Sequence, residues 1–154
     1  MKRIKLTQGK FSIVDEEDFE ELNKIKWHAC YDRGTKSYYV KSLINNKIIH
    51  MPRKIMKTNQ GLVVDHINHD TLDNRKSNLR NCTRSQNSMN QRKPRNNTSG
   101  TTGVYWKKSI ARWVSLIAIN QNQIYLGVFK DKNDAIKARK KAEIKYFGEF
   151  LYNG

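Results

Sequence analysis

From Gln91 to Gly100 the chain runs through Gln91-Arg92-Lys93-Pro94-Arg95-Asn96-Asn97-Thr98-Ser99-Gly100 without a single apolar residue. Such a stretch has nothing to place in a core, so the sequence on either side of it must bury its own apolar residues. The 154 residues allow one ordinary domain or two to three small modules. With 37% hydrophobic residues, large cores are excluded. We therefore read residues 91–100 as a basic linker, with modules before and after it. Its three basic residues suit either a strand that follows a phosphate backbone or a solvated tether, and the sequence leaves both open.

Charge narrows the partners. Lys and Arg number 30 against 14 Asp and Glu, a formal net charge of +16. That balance points first to nucleic acid and second to an anionic membrane. No apolar run approaches the roughly 20 residues that span a bilayer. The start, Met1-Lys2-Arg3-Ile4-Lys5-Leu6, leads into Thr7-Gln8-Gly9-Lys10 and lacks the apolar centre of a signal peptide. Cys30 and Cys82 lie far apart with no CxxC, which reads as reduced thiols of an intracellular protein.

Residues 1–60 read as a small β-rich segment. Ile4–Leu6 and Phe11–Val14 can pair around Gln8-Gly9. Asp15 to Asn23 has Phe19 and Leu22 at helical spacing. Ile25 to Tyr31 and Tyr38 to Ile44 read as strands about an Asp32-Arg33-Gly34 turn, with a further strand from Lys47 to His50. A short helix is expected from Met51 to Met56, with Pro52 near its first position. In residues 61–90, Leu62-Val63-Val64 reads as a strand, and Asp70 to Lys76 as a polar loop with Asp73-Asn74 as turn residues. Leu79 anchors a second strand. Thr83-x-x-Gln86 is a capping-box pattern that starts a helix. In residues 101–154, three strands (Gly103–Trp106, Arg112–Ile119, Ile124–Phe129) precede a helix from Asp134 to Phe147. Ala135, Ala138 and Ala142 share one side of that helix, and Gly148 ends it.

The chemistry-bearing residues concentrate in 61–90. Asp65 and His66 are adjacent, Asn78 follows in Ser77-Asn78-Leu79-Arg80, and Asn87 in Gln86-Asn87. One Asp carboxylate and one Asn carbonyl suit Mg²⁺ or Mn²⁺, with water and phosphate completing the shell. An imidazole can take a proton from an attacking water. Adjacent strand residues point to opposite faces, so Asp65 and His66 converge only where the strand ends, twists or bulges. Asn87 must return from the helix to meet Asp65. His69 reads as a solvated loop residue and His28, beside Trp27, as structural. Contact with DNA phosphate and plain solvated charge fit Arg75 and Arg80 equally.

Asp65-His66, Asn78 and Asn87, with Val64-Asp65-His66-Ile67-Asn68, Leu72-Asp73-Asn74-Arg75 and Asn78-Leu79-Arg80 around them, resemble the HNH nuclease motif of phage and intron-associated homing endonucleases. The resemblance implies a ββα-metal fold binding one Mg²⁺ or Mn²⁺ ion, with His66 as general base and Asp65 and Asn87 as metal ligands. Asn78 would brace the loop and orient the base. Lys10-Phe11-Ser12-Ile13-Val14-Asp15 and Ile25-Lys26-Trp27 also resemble the segment that often precedes this motif. One departure is Met51-Pro52-Arg53, where similar proteins often have Met-His-Arg. Pro52 removes that histidine, and His50 is no obvious substitute.

Residues 101–154 resemble the AP2 DNA-binding domain through Gly103-Val104-Tyr105, Arg112-Trp113, Ile117, Tyr125-Leu126-Gly127-Val128-Phe129 and Ala135…Ala138. The resemblance implies three strands in the DNA major groove with a helix behind. Alternation puts Trp113, Ser115, Ile117 and Ile119 on one face and Arg112, Val114, Leu116 and Ala118 on the other. Tyr105, Lys107, Arg112, Gln123 and Tyr125 are the candidate DNA contacts. Val114, Leu116 and Ala118 stand where polar base readers are common. They leave three readings of that face: contact with thymine methyls, weak binding, or partial cover by protein.

The expectation is thus an α+β chain: a β-rich segment 1–60, an HNH catalytic motif 61–90, a basic linker 91–100 and an AP2-like domain 101–154. It would act as a phage-encoded, intracellular, monomeric endonuclease nicking double-stranded DNA, with no membrane partner. The alternative is a non-catalytic DNA-binding protein on an HNH scaffold.

Overall fold

Gln8-Gly9 and Asn45-Asn46 form tight turns in which both central residues have positive φ: 59° and 65° in the first, 48° and 59° in the second. This backbone shape matches the twist of antiparallel strands, and Asn and Gly adopt it at least cost. The first turn closes when the Lys10 N–H donates to the Thr7 carbonyl at 3.3 Å. It joins β1 (Lys2–Lys5) to β2 (Phe11–Val14). α1 (Glu16–Asn23) follows with Asp15 at its N-cap position and three acidic residues in its first turn, the favourable end of the helix dipole. The second turn lies between β4 (Ser37–Ile44) and β5 (Lys47–His50); with β3 (His28–Asp32) these make an antiparallel sheet in the order β3-β4-β5. α2 (Met51–Ile55) begins directly after β5 with Pro52 in its first turn. β6 (Val63–His66) and β7 (Leu79–Cys82) then form a two-stranded antiparallel pair.

The computed structural model describes residues 1–91 and 97–151, so half of the 91–100 linker, residues 92–96, lies outside the described residues. The chain divides into two units, Met1–Arg84 and Ser85–Gly154, at the start of α3 (Arg84–Met89). In the first unit, the segment 1–60 and the β6–β7 pair share one core. Ile4, Val14, Trp27, Val40 and Met51 are buried there with Leu79 of β7, and Val64 and Leu72 pack against them. The Trp27 indole N–H is satisfied by the Leu22 carbonyl at 2.9 Å. Among the described residues no helix is long and apolar enough to cross a membrane.

The second unit holds β8 (Val104–Lys107), β9 (Arg112–Ile119) and β10 (Asn122–Phe129) in the order β10-β9-β8, with α4 (Lys132–Phe147) against the sheet. Asp131 caps α4 by accepting from the Asn133 N–H at 2.6 Å, and Gly148 ends it at φ 51°. Ala135 and Ala142 are buried while Ala138 is half-buried. Small side chains there let Arg139, 4% exposed, cross the interface. Its Nη1 donates to the Leu116 carbonyl of β9 at 2.6 Å, and its Nε donates to Glu143 Oε1 at 2.8 Å. Gly103 is held against the same point. Its φ is +78°, and its carbonyl accepts from the Leu116 N–H at 2.9 Å. A Cβ on Gly103 would stand 2.3 Å from the Leu116 carbonyl oxygen and 2.5 Å from Arg139 Nη1.

Gly100 has nearly the same φ, +79°, but nothing within 4 Å of an added Cβ. Gly100→Ala should therefore cost only left-handed backbone strain, roughly 1–2 kcal/mol. Gly103→Ala should add an overpacking cost of roughly 1–3 kcal/mol. Urea unfolding of the two variants measures the difference; equal midpoints would mean that the Gly103–Leu116–Arg139 contact is not tight.

Candidate active site

β6 pairs with β7 in unbroken register: Val63 with Cys82, Val64 with Asn81, Asp65 with Arg80 and His66 with Leu79. The strand ends at His66, so the candidate pair occupies its last two positions. Both side chains are taken out of water; Asp65 is 7% and His66 8% exposed. Cross-strand pairing puts Asp65 beside Arg80, whose Nε and Nη2 both donate to Asp65 Oδ2 at 2.8 and 2.7 Å. Arg80, an expected phosphate contact, is thus tied to the candidate metal ligand, and little of its side chain is exposed.

His66 turns instead toward the loop that follows, where its Nε2 lies 3.1 Å from Asn74 Oδ1. Asn74 is fully buried, and its Nδ2 donates to Ser12 Oγ at 2.9 Å. Burial pushes the His66 imidazole below the usual histidine value. The Asn74 bond and the charges of Asp65, Asp70 and Asp73 oppose that shift without overcoming it. The ring is accordingly biased to its neutral form near pH 7.

The loop itself differs from the sequence expectation. Asp73 and Asn74 are not turn residues; the turn falls at Thr71-Leu72, Asp73 forms a β-bridge, and both Asp73 and Asn74 are buried. The reason is a partner sixty residues away. The Ile13 N–H donates to the Leu72 carbonyl at 2.9 Å, and the Asn74 N–H donates to the Ile13 carbonyl at 2.8 Å, a parallel bridge onto β2. The Asp15 carboxylate accepts from the Lys76 N–H at 2.7 Å, holding the same loop from another side.

Asn78 lies at the end of a short 3-10 turn, Lys76–Asn78. Its Oδ1 accepts from the Asn68 N–H at 3.0 Å, and its Nδ2 donates to the Asp73 carbonyl at 2.8 Å. Its own carbonyl accepts from the Ile67 N–H at 2.9 Å. One residue thus ties both ends of the loop. Arg75 curls back on Asp73, with Nε and Nη2 at 2.8 and 2.6 Å from the two carboxylate oxygens. Those bonds, led by the Arg75 side chain, hold the Asp73 carboxyl below the usual carboxylate range. His69 adopts positive φ, 64°, and is half-buried.

Asn87 sits half-buried on α3, in the second unit. Among the described residues, no three His, Cys, Asp or Glu side chains cluster as a metal cage. The remaining candidates share one sheet face of the second unit. Tyr105 pairs with Val114, Lys107 with Arg112, Gln123 with Ala118 and Tyr125 with Leu116. Tyr105 and Tyr125 are 43% and 61% exposed, whereas Val114 on the same face is buried. Asn74 and Ser12 fall inside the stretches that carry the resemblance, but sequence reasoning gave neither a role in the site.

Comparison with known proteins finds a family model that matches across this segment. Residues 57–89 match the HNH endonuclease family. The chain is also 33% identical over 64 residues to "Protein 3.8" of Escherichia phage T7, a match covering 42% of this chain and 53% of that protein. The chain thus spans about half the length of that relative. No solved structure matches it significantly.

The Asp73–Arg75 pair sets a pH dependence. The folded-state pKa of Asp73 is lowered, so its contribution to stability is complete above the unfolded carboxylate value of about 3.9. It is lost as pH falls through the lower folded value. Between about pH 5 and about pH 2.5 the wild-type chain should lose more urea stability than Asp73→Asn. Parallel acid limbs for the two proteins would show that the pair is not holding the loop.

Proposed function

We propose that this chain is a metal-dependent, site-preferring DNA endonuclease of the homing type that hydrolyses phosphodiester bonds. The observation that carries the reading is the end of β6. A buried His66 biased to its neutral form and a carboxylate oriented by Arg80 sit side by side, inside the segment that matches the HNH endonuclease family. The net charge of +16 supports a polyanionic substrate.

In this reading His66 removes the proton from the attacking water, and Asn78 keeps the loop that carries the base from spreading. Asp65 fits a hard divalent ion. A carboxylate is a hard oxygen donor of the kind such an ion takes. Arg80 then orients the ligand, as second-shell partners commonly do. The HNH resemblance assigns a metal-ligand role to Asn87 as well, on α3 of the second unit. When bound, that ion would stabilise charge on the phosphoryl oxygens and on the leaving oxygen.

The second unit is proposed to be AP2-like and to bind DNA through the face that carries Tyr105, Lys107, Arg112, Gln123 and Tyr125. Arg75, partly exposed beside its ion pair, is a further proposed phosphate contact. One motif, with one base and one pair of ligands, handles one phosphodiester at a time. Unlike modules strung along a duplex read an asymmetric site. We therefore read the protein as a monomer that nicks one strand. The phage relative supports a phage-encoded protein, which we read as intracellular.

The test uses the full chain with supercoiled plasmid carrying its target. Open circle should accumulate before linear product, and EDTA should abolish cutting. His66→Ala should lower single-turnover cleavage by about 10²–10⁴-fold while leaving salt-sensitive DNA affinity within about twofold. Asp65→Ala should remove the Mg²⁺ or Mn²⁺ response. Wild-type-like cutting by His66→Ala would remove the base assignment. Tight binding with no metal-stimulated cutting by the wild-type chain would replace the enzyme with a non-catalytic DNA-binding protein.

A further inference from the structure

Residues paired directly across an antiparallel sheet put their side chains on the same face. Trp106 of β8 pairs with Trp113 of β9, and Trp113 pairs with Phe129 of β10. One row of the sheet is therefore aromatic in all three strands. The row lies on the face that carries Ile117 and Ile124, which pack with Ala142 and Phe147 of α4. It is the face away from Tyr105 and Tyr125. The helix shields this face only in part. Its first residue, Lys132, stands at the row, with Nζ 5.5 Å from the centre of the Trp113 ring. Trp106 remains 44% exposed. Its ring meets that of Trp113 at 5.4 Å between centroids and 65° between planes, an edge contact that holds the indole while leaving surface open. The neighbouring chain is cationic. Lys108 opens the 3-10 turn after β8, Lys130 follows Phe129, and both are exposed. The carboxylates beside them are engaged. Asp131 caps α4 by accepting from the Asn133 N–H, and Asp134 lies 3.6 Å from Lys137 Nζ.

We propose that Trp106, set against Trp113 and with Lys108, Lys130 and Lys132 next to it in the chain, is a stacking platform for an unpaired base of single-stranded nucleic acid. It lies on the face of the second unit opposite the proposed duplex contacts. A duplex stacks its bases on one another and shows a neighbouring ring only its backbone and base edges. An unpaired base has a free π face, and an indole takes any of the four bases. Because Trp113 already orients Trp106, little side-chain freedom is lost when a base settles on it. The lysines meet the phosphates on either side of that base. A nick frees a strand end, so the proposed function would supply such a strand. The platform itself is argued from the second unit alone.

The experiment uses the full-length chain and probes of matched length: an oligothymidylate, an abasic deoxyribose-phosphate oligomer and a DNA duplex. The wild-type chain should bind the oligothymidylate about 5- to 100-fold more tightly than the abasic oligomer, which has the phosphates but no bases. Trp106→Ala should erase that preference while duplex affinity stays within about twofold. In a chain labelled with fluorotryptophan, the ¹⁹F resonance of Trp106 should move on adding oligothymidylate but not the abasic oligomer, and that of the buried Trp27 should stay in place. If Trp106→Ala does not fold, Trp106→Leu carries the test. It keeps apolar bulk without a flat ring and should lose the same preference. Equal binding of the two single-stranded oligomers by the wild-type chain would overturn the proposal, as would a folded Trp106 variant that keeps the preference. So would a fall in duplex affinity as large as the fall for oligothymidylate. A dimer in sedimentation that Trp106→Ala dissociates would also overturn it, because a second copy would then cover the row. An oligothymidylate preference in a chain that cuts no DNA would support the platform and remove the proposed function.

Discussion

Ile13 decides whether the loop between β6 and β7 is a surface loop or part of a core. Its N–H and carbonyl bracket Asp73 by bonding to Leu72 and Asn74. A polar loop left to itself would solvate its amides and carboxylates. Pinned to β2, the same residues are withdrawn from water and must find partners inside, because an unpaired buried polar group costs about 1–3 kcal/mol. The hydrogen bonds of Asn74, Asn78, Asn68 and Asp73 are those partners. The candidate site is therefore a product of the N-terminal hairpin as much as of the motif itself.

That dependence explains why the first 84 residues form one unit over a shared core. Leu79 anchors β7 among side chains from β1, β2 and β4, and Ser12 reaches Asn74 from the strand that Ile13 bridges. A motif of about thirty residues has too few apolar groups to stand alone, as domains below about 40 residues usually need a metal, a disulfide or a partner surface. Here the segment ahead of the motif supplies that surface.

Legibility in the sequence followed the range of the interactions. Gln8-Gly9, Asn45-Asn46, Pro52 and Gly148 act through their own φ angles or missing groups, so the strands and helices they bound could be read from local residues. The alternation along β8, β9 and β10 was equally local, and it puts Tyr105 and Tyr125 on one face. Asp73-Asn74 was read as a turn because both residues favour turns, and their burial depends on Ile13, which no local pattern connects to them. Arg139 was hidden for the same reason. A charged residue in a lysine-rich helix reads as solvated, and only the paired positions of Leu116, Gly103 and Glu143 make it a core residue. Asp65 and His66 were legible as chemistry, but their partners Arg80 and Asn74 were not legible as partners.

On the proposed function, the Asp65–Arg80 pair bears on how a carboxylate can serve beside a phosphate. Two like charges about 4 Å apart repel by about 4 kcal/mol at an effective dielectric of about 20. A lone buried carboxylate would thus drive off the anion it is meant to act on, or take up a proton. Arg80 cancels most of that field from the neighbouring strand, and Arg75 does the same for Asp73 at the other side of the loop. Lys76, in the same loop, pairs with Glu17 and Asp18 of α1. On the proposed function, attraction of a polyanion and chemistry on one of its phosphates fall to different residues. Losing Arg80 would accordingly damage the chemistry through Asp65, whereas losing a surface lysine would only weaken binding.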